Sequence, residues 1–586
     1  MADKLRDVPG LLNHPDWEPF NILTDPWVHV LDGETWKTVG LRELIEHAHE
    51  YRDMKFEGIT YYDGAAAHIF IETFLYRAYM TKWKNLDRAK EAGCFDIGVF
   101  DDYVKKCKKD GVSFDIFDLR RPFMQTTLDQ LLEEFTTDNI ASVGTILPAT
   151  YPSGQNVTFF YRTERDGATA EDTFALTPEQ YFLALIRERL ACPSGGCGYS
   201  PSPLAQCGPP LICLAKGKNV FETLYMNLPV PDDRDVDECV PMWERYKELA
   251  VPKEGYSKNP VPWMFLPMLS FRCAFRDEDG NVTRLFKRGI RYNDLYKTGK
   301  DERKFASVLT EGPKETFPYT FIRTYDNGDI SMMSIRNTNP SYLDIVSSLE
   351  GIEKGWFTLR NRTATRLGEY CGDASDERHL IFDLYGLNYK QTSYVSQYKG
   401  QIKLPAKAIT DIPIAEGISA YIGSIRGLIG RYALLIDSIY ANAKKDWVSS
   451  FKRAKTEEFT ENIRTLFFED IEQLVTMDIE QDIPDEMVPD WETKESRANA
   501  ESKKKKKASK KKGKAEEEKP LNFGISNRAV YVWFMEARDR MYKEAVLCAR
   551  EIPEYRGDKI GWYEAQDKYF SIAGPKNPDR KETGDV

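Results

Sequence analysis

Apolar and polar positions near the start of the chain first alternate and then repeat with a helical period. Two short alternating runs lie on either side of Asp32-Gly33, a dipeptide that favours the tight turn of a β-hairpin. A short amphipathic helix is predicted directly after residue 40. From Gly64 to about Lys84, an apolar stripe among good helix formers predicts a longer helix. The pattern therefore begins as a mixture of strands and helices.

The middle of the chain predicts further strands, turns and one helix. A helix is expected around Pro178 to Leu190, whereas residues 143–158 contain a turn-forming residue every few positions and predict an extended loop. Between residues 261 and 345, alternating runs are separated by the turn dipeptides Asp279-Gly280 and Asn327-Gly328. These features favour small sheets joined by long loops.

Beyond Pro413 the period becomes helical throughout. Three amphipathic helices are predicted from apolar positions that recur every three or four residues. These positions are Ile418, Ile422, Ile425, Ile429, Tyr432, Ile436 and Ile439 in the first helix, Ile463, Phe467, Ile471 and Leu474 in the second, and Val530, Trp533, Phe534, Ala537 and Met541 in the third. The expected fold class is therefore α+β. A large mixed α/β N-terminal domain over residues 1–410, with loop-rich β-sheets and helices, precedes a C-terminal helical bundle of the four-helix type over residues 411–586.

Charge is distributed unevenly along the 586 residues. The formal net charge is −11, which by itself argues against binding to nucleic acid. Residues 503–514, however, contain nine Lys and no acid, so the remaining chain carries −11 − 9 = −20. This tract lies in a Lys-rich insertion at about 495–520 that is expected to be disordered and to interrupt the bundle. The tract is open to two interpretations, a non-specific nucleic-acid contact and a solubilising spacer.

The chain has no apolar run long enough to cross a membrane and no apolar signal core, so a cytoplasmic location without membrane contact is expected. Five of the six histidines lie within the first 68 residues, and no HExxH motif occurs, which disfavours a His-built metal hydrolase. Neither a P-loop nor a GxSxG nucleophile elbow is present. No catalytic residue, metal site or cofactor is therefore predicted.

Two constellations leave an enzymatic alternative open. The Cys192, Cys197, Cys207 and Cys213 thiols form either a zinc site or ordinary buried and loop thiols, and the absence of a CxxC pair favours the second interpretation. Asp485 and Glu492 resemble the carboxylates of a nuclease metal site, but their short spacing and the absence of a strand pattern around them favour a solvated acidic linker. The alternative function is accordingly a metal-dependent nuclease or a nucleic-acid-modifying enzyme.

Basic and polar segments supply candidate nucleic-acid contacts. Residues 286–304 contain seven Lys or Arg and three acids, with Tyr292 and Tyr296 between them, which is typical of a phosphate-contacting strand or loop and also of a solvated charged loop. Arg360, Arg362 and Arg366 form a second basic cluster. Residues 385–393 (YGLNYKQTS) carry amide, hydroxyl and ammonium groups in a turn-prone setting. Such groups suit contacts to a DNA groove, although a polar loop of this kind is usually no more than an exposed loop.

Several motifs, in their order along the chain, resemble the CasA family. These are FNILTDPWVHV from residue 20, RRPFMQTT at 120–127, the Gly-rich loop followed by GPPLICLAKGKNVFETLYMNL, ERKF at 302–305, the segment ending NPSYLDI, and YGLNYKQTS. Members of that family are the large subunit of the type I-E CRISPR Cascade surveillance complex. Each motif is weak alone, and the resemblance rests on their collinear order over most of the chain.

The resemblance implies a function without chemistry of its own. The chain would recognise the protospacer-adjacent motif (PAM) in double-stranded target DNA through the minor groove and wedge the duplex open to start R-loop formation. The implied partners are the crRNA-containing Cascade subunits, namely the backbone, the small-subunit dimer and the subunit at the crRNA 5′ end. A helicase-nuclease would be recruited after R-loop formation.

The resemblance also assigns roles to individual positions. Gln391 falls on the wedge glutamine, flanked by Lys390 and Thr392, and Lys304 falls on a groove-contacting lysine. The glycine loop that approaches the PAM backbone falls on Gly195, Gly196, Cys197 and Gly198. Two features depart from the family pattern. Lys390 stands where a member of the family has Asn, and the glycine loop contains Cys197 and Tyr199. The PAM preference therefore does not carry over to this chain.

Overall fold

A computed structural model describes residues 17–80, 84–147, 174–191, 204, 209–228, 241–244, 269–289, 317–320, 322–324, 330–335, 379–390 and 393–405. The chain divides into two compact units. The first comprises residues 1–339, 355–372 and 380–402 and contains almost all described residues, and the second comprises residues 340–354, 373–379 and 403–586. The domain boundary at residue 410, the C-terminal bundle and the Lys-rich insertion lie outside the described residues and stay predictions.

The N-terminal strands form the predicted hairpin and add a third strand. Strands β1 (Val28–Asp32) and β2 (Thr35–Val39) pair in antiparallel fashion, and β3 (Tyr51–Lys55) pairs with the other edge of β1. Gly33 in the connection has φ +61°, a conformation that glycine adopts without strain. The short helix α1 (Leu41–Glu46) follows, with its apolar side chains buried.

Helix α2 (Tyr61–Tyr79) is the central element of the described fold, because 17 of its 19 residues are buried. It begins three residues before the predicted start, since the Thr60 and Asp63 side chains each cap the other's backbone N–H. It packs against helices α4 (Ile97–Lys109) and α6 (Pro178–Ala191). The sequence predicted a helix at the position of α6. The remaining described α-helices are α3 (Lys84–Ala92), α5 (Leu128–Glu134) and α7 (Val220–Asn227).

Aromatic side chains fill the core between these helices. The Phe70 ring centroid lies 5.7 Å from that of Phe182 and 5.4 Å from that of Trp243, and both neighbours are oriented edge-to-face. Trp27 is fully buried beside them, and its indole N–H donates to the Ile22 carbonyl at 2.8 Å. Such aromatic pairs add stability beyond the burial of their area.

Two ion pairs join α2 to distant segments. Arg187 of α6 donates to the Asp63 carboxylate at 2.6 Å, with both side chains buried. Arg77 donates to both carboxylate oxygens of Glu244, at 2.7 and 2.9 Å, and the Tyr103 hydroxyl donates to the same carboxylate. These contacts fix the position of α2 relative to α6 and to residues 241–244.

A second antiparallel sheet has the strand order β4-β7-β6, from β4 (Ile140–Ser142), β6 (Leu269–Arg276) and β7 (Val282–Gly289). The turn predicted at Asp279-Gly280 joins β6 to β7, and Gly280 has φ +83°. The prediction of an extended loop was wrong for Val143–Ile146, which form a 3-10 turn. The Ser142 hydroxyl accepts the Gly144 N–H and caps that turn.

The third sheet has the order β11-β10-β5, from β5 (Ile212–Lys216), β10 (His379–Lys390) and β11 (Ser393–Pro405). Strands β8 (Ile322–Thr324) and β9 (Ile330–Met332) form a separate pair, as the alternation there predicted. On the side of β5 away from β10, the Asn227 side-chain amide of α7 accepts the Ala215 N–H at 2.8 Å and donates to its carbonyl at 2.7 Å. The mixed α+β class with small antiparallel sheets is confirmed.

Within the described part of the chain, no helix combines the length and apolar composition that crossing a membrane requires.

Candidate nucleic-acid interface

The segment that carries the predicted wedge glutamine is a long β-hairpin. Strands β10 and β11 are hydrogen-bonded neighbours, 12 and 13 residues long, and only Gln391 and Thr392 separate them. So short a connection requires antiparallel strands. The Gln401 amide accordingly donates across the hairpin to the Asp383 carboxylate at 2.8 Å. The turn-prone setting predicted for residues 385–393 was wrong over residues 385–390, which are strand.

Strand β10 extends past the end of its neighbour β5. The pairing runs from Ile381 opposite Lys216 to Tyr385 opposite Ile212, where β5 begins. Residues 386–390 continue beyond that point, over about 16 Å at 3.3 Å per residue. Gln391 therefore follows a strand that continues beyond the end of β5, with Leu387 and Asn388 buried along that stretch.

The Gly-rich segment enters the same sheet at the same end. It precedes β5 in the chain, and β5 runs antiparallel to β10, so the start of β5 lies where β10 continues toward Lys390. The chain therefore enters β5, with 13 residues between Gly198 and Ile212, at the end of the sheet where β10 continues toward Lys390. The sequence motifs are 190 residues apart or more, and the pairing of β5 with β10 joins their flanking elements.

The part of β10 beyond β5 packs against two other segments at Gly386. A Cβ at this position would overlap the Ile335 side chain and lie 3.4 Å from Leu211 Cδ1. Leu211 is itself hydrogen-bonded to residues 330–335, because its N–H donates to the Met333 carbonyl at 2.7 Å. The absence of a side chain at Gly386 therefore lets the hairpin rest on the segment that leads from the Gly-rich loop into β5.

Strand β11 of the hairpin is attached to the start of α2. The Tyr61 N–H, which belongs to the first turn of the helix and has no intrahelical acceptor, donates to the Gln397 amide oxygen at 3.0 Å. The Lys399 ammonium lies 5.7 Å from the Tyr61 ring centroid and 5.9 Å from that of Tyr385. Burial raises the pKa of Tyr385 above its ordinary value, so its phenol stays neutral.

The described part of the basic stretch 286–304 serves the second sheet. The Phe286 side chain is buried with Leu131 and Phe135, and the Lys287 ammonium donates to the Thr145 carbonyl at 2.7 Å. These contacts favour a structural role for the start of the stretch, while residues 290–304 lie outside the described residues.

Of the four cysteines of the candidate zinc cluster, only Cys213 is among the described residues. Cys213 lies in β5 with its side chain fully buried, and burial raises the pKa of its thiol well above the ordinary value. The neutral thiol is thereby favoured over the thiolate that zinc binds. Among the described residues, no group of three or more His, Cys, Asp or Glu side chains is arranged to hold a metal ion.

The model of the family described as CRISPR-associated protein Cse1 matches residues 21–508. The chain belongs to the Cse1 family. The predicted relationship to the CasA family is thereby confirmed, since a relative from Thermus thermophilus is described as CRISPR-associated protein CasA/Cse1. That relative is 28% identical over 236 residues, which is 39% of this chain and 42% of the relative.

Solved structures of Cse1 proteins share the fold. The structure of Thermus thermophilus CasA (Cse1) aligns with a TM-score of 0.61 and 16% identity, covering 94% of this chain and 98% of that one. A chain of a structure described as a CRISPR RNA-guided surveillance complex aligns with a TM-score of 0.61 and 15% identity, covering 94% of this chain and all of that one (100%). At such identities the likeness concerns the fold alone.

In this member of the Cse1 family, most of the assigned site residues lie outside the described residues. This applies to Gly195, Gly196, Cys197, Gly198, Lys304, Gln391 and Thr392, and also to Arg360, Arg362, Arg366, Asp485 and Glu492. Lys390 is described only as the last residue of β10. The structure thus positions the strands that flank the glycine loop and the wedge, and the roles of the residues themselves stay predictions.

Sequence reasoning overlooked one group of cations in the Cse1 fold. Four lysines occur within residues 105–109. Arg120 and Arg121 begin the motif RRPFMQTT, which served above only as part of the family resemblance. The rest of that motif is structural, because the buried Gln125 amide accepts from the Tyr181 hydroxyl at 2.7 Å and donates to the Ile116 carbonyl at 2.6 Å. A local count of lysine and arginine would have found the group.

Proposed function

We propose that this chain is the large subunit of a type I-E CRISPR RNA-guided surveillance complex, in which it recognises the PAM of double-stranded target DNA and opens the duplex to start R-loop formation. Membership of the Cse1 family supports the proposal, as does the likeness of its fold to a chain of a surveillance complex. Its assembly partners would be the crRNA-containing backbone, small-subunit and 5′-end subunits. A helicase-nuclease would be recruited once the R-loop has formed.

The observation that carries the proposal is the hairpin β10–β11, whose strand β10 continues beyond the end of β5. Only Gln391 and Thr392 separate its two strands, and in our proposal Gln391 acts there as the wedge. The Gly-rich segment, which lacks side chains at three positions, attaches to the same end of the sheet. A close-approaching backbone and an inserted side chain can therefore act on the same short stretch of duplex.

Inserting the wedge side chain into the duplex costs free energy, which neighbouring cations can offset. Inserting a side chain between base pairs costs on the order of a few kcal/mol of stacking free energy. In our proposal, Lys304 and Lys390 offset this cost by contacting the groove and the backbone, and Thr392 faces the minor groove beside them. Minor-groove readout distinguishes A·T from G·C pairs but is otherwise degenerate, so several PAM sequences would be accepted.

The wedge is tested in the assembled complex with the double substitution Gln391→Ala and Lys304→Ala. A fluorescent base analogue next to the PAM reports duplex opening, and a second target with an unpaired protospacer bypasses that step. We expect opening of the closed duplex to be lost while binding to the pre-opened target is retained. Gln401→Ala removes the same side chain from the base of the same hairpin and should leave both measurements unchanged. Equal loss on both targets would contradict the wedge assignment.

The alternative of a metal-dependent nuclease is tested with the same purified chain. Our proposal predicts that a cleavage assay with Mg²⁺ or Mn²⁺ gives no strand scission and that elemental analysis gives no stoichiometric zinc. Intrinsic cutting that disappears in Glu492→Ala would instead identify an enzyme.

A further inference from the structure

One residue of α2 contacts the hairpin β10–β11 at two points. Tyr61 is the first residue of the helix. Its backbone N–H donates to the Gln397 amide oxygen at 3.0 Å, and its ring centroid lies 5.7 Å from the Lys399 ammonium. Gln397 and Lys399 are two positions apart in β11, so their side chains point to the same face of the strand. The helix is therefore attached to one face of the hairpin.

The Lys399 ammonium connects the rings of two other elements. It lies 5.7 Å from the ring centroid of Tyr61 in α2 and 5.9 Å from that of Tyr385 in β10. A cation within about 6 Å of an aromatic ring is attracted by the electrons of its face. Within the described part of the chain, Lys399 forms no ion pair, and Asp383 instead accepts from Gln401. The two rings thus supply the contacts of this cation.

The opposite face of the hairpin has a contact of its own. Neighbouring residues of a strand point to opposite faces, so a Cβ at Gly386 would lie on the face away from the Tyr385 ring. That Cβ would overlap the Ile335 side chain. The hairpin is therefore held between residue 335 on one face and the start of α2 on the other.

The pairing of strands leaves the direction of the hairpin partly open. Strand β11 is the outermost strand of its sheet, and β5 pairs with β10 only as far as Tyr385. Gln397 lies four residues, or about 13 Å, from the start of β11 at Ser393. A tilt of about 10° at Gln397 would move that start by about 2 Å, whereas a working site tolerates about 0.5 Å. The contact with α2 is placed where it can prevent such a tilt.

Helix α2 is a rigid support for this purpose. Of its 19 residues 17 are buried, and its first turn is fixed by the reciprocal caps of Thr60 and Asp63. The Asp63 carboxylate also accepts from the buried Arg187 of α6 at 2.6 Å. Tyr61 therefore extends from a backbone that the core holds in place.

An exposed tyrosine in a first helical turn needs no special explanation, because its N–H can bond to water. Trp36 is a comparable residue, since it is 41% exposed and the Lys55 ammonium lies 4.4 Å from its ring centroid, within one sheet. Tyr61 differs because its backbone and its ring both reach the same distant strand, 336 positions along the chain in the case of Gln397. Two contacts from one residue restrict rotation more than one contact does.

We propose that Tyr61 is a positioning residue for duplex opening, which acts through Gln397 and Lys399 to set the angle at which the hairpin presents Gln391. The inference rests on the proposed function, in which Gln391 is the wedge. It adds a residue of α2 that need not touch the DNA.

The test uses the assembled complex with Tyr61→Ala and Gln397→Ala combined, and a base analogue beside the PAM follows the rate of duplex opening. Loss of one cation–π contact and one hydrogen bond can lower the population of the correctly placed hairpin by about tenfold. We therefore expect opening of a closed, matched duplex to slow by about tenfold. Affinity for a pre-opened target should stay at the wild-type value.

A second target separates positioning from a general structural role. A mismatch at the first base pair beside the PAM lowers the work of the wedge, so the alanine variant should open this target nearly as fast as the wild type. A damaged fold would instead slow both targets alike, and that result would overturn the proposal.

Two matched variants complete the experiment. Tyr61→Phe with Gln397→Glu keeps the ring and the hydrogen-bond acceptor and should keep the wild-type rate. Trp36→Ala with Gln401→Ala removes an exposed ring near a lysine and a glutamine of β11 that bonds within the hairpin, and it should also keep that rate. Slow opening by either variant would overturn the proposal.

Failure of the inference and failure of the proposed function are distinguishable. If the wild-type complex does not open closed, matched duplexes, the proposed function fails and the positioning role fails with it. If the wild type opens them and the alanine variant opens them equally fast, only the positioning role is overturned.

Discussion

At the scale of single residues, the pair between Arg77 and Glu244 is a largely buried polar contact whose energetic contribution can be measured. The two side chains are about one-tenth exposed, and Tyr103 adds a third hydrogen bond to the carboxylate at 2.7 Å. Burial raises the pKa of Glu244, but the hydrogen bonds and charge of Arg77 outweigh it, so the pKa is lowered overall. Breaking one partner of such a pair leaves a poorly solvated charge behind.

We expect Glu244→Gln to lower the free energy of unfolding at pH 7 by about 2 to 4 kcal/mol, because Arg77 loses its counter-ion. A lowered carboxyl pKa contributes stability above the unfolded value near 4.5, and this contribution is lost as the pH falls through the folded value. The gap between variant and wild type should therefore shrink below about pH 4.5. Urea unfolding at pH 7 and at lower pH measures both effects.

The matched control is Glu46→Gln, which removes a carboxylate that accepts from Arg42 at 2.7 Å on the surface. An exposed pair of this kind contributes about 0 to 1 kcal/mol, so little change is expected. Equal effects of the two substitutions would mean that the buried pair adds nothing beyond a surface contact.

At the scale of elements, the sequence predicts those features whose cause is local. The turns at Asp32-Gly33 and Asp279-Gly280 follow from glycine in a left-handed conformation, and both hairpins are present. The start of α2 is determined by the capping pair of Thr60 and Asp63. These two polar residues lie outside the apolar stripe from which the helix was predicted. A prediction from hydrophobic period alone therefore placed that start three residues too late.

The strand character of residues 385–390 has a distant cause. The polar segment 385–393 suggested a turn, but Tyr385 pairs with Ile212 of β5 and Gly386 packs against Ile335 in an extended strand. Ile335 and Ile212 lie more than 50 and 170 positions away, so no local pattern contains these contacts. For the candidate site, the sequence predicted which motifs matter through their resemblance to a family. It did not predict that their flanking strands share one sheet.

This packing makes Gly386 the element-scale test of the hairpin. In Gly386→Ala the new methyl group overlaps the Ile335 side chain. We expect relief of this overlap to move β10 at residue 386 away from Leu211. Overpacking of this kind costs about 1 to 3 kcal/mol. We expect a lower melting temperature of the chain and slower duplex opening by the assembled complex.

Gly400 on the partner strand provides the matched substitution. A Cβ there meets the hydroxyl end of Tyr398, a side chain that can turn aside. Gly400→Ala should therefore change the melting temperature and the opening rate much less than Gly386→Ala. If the two variants open the duplex at equal rates, then Gly386 does not position the hairpin.

At the scale of the whole molecule, the acidic net charge and the proposed DNA contacts are compatible. The chain carries −11, yet the stretch 286–304 contains seven Lys or Arg against three acids, and the lysine tract 503–514 contains nine Lys and no acid. An acidic protein with a few local basic surfaces binds DNA weakly on its own, because like charge repels the rest of the backbone. Firm binding would then need the other subunits and the guide RNA.

The most direct test of the central claim is an omission and add-back measurement of duplex opening. The guide RNA and the remaining subunits are assembled without this chain and mixed with a closed, matched duplex that carries a base analogue beside the PAM. We predict no opening until the chain is added, and then opening that depends on the PAM. Equal opening with and without the chain would contradict the account.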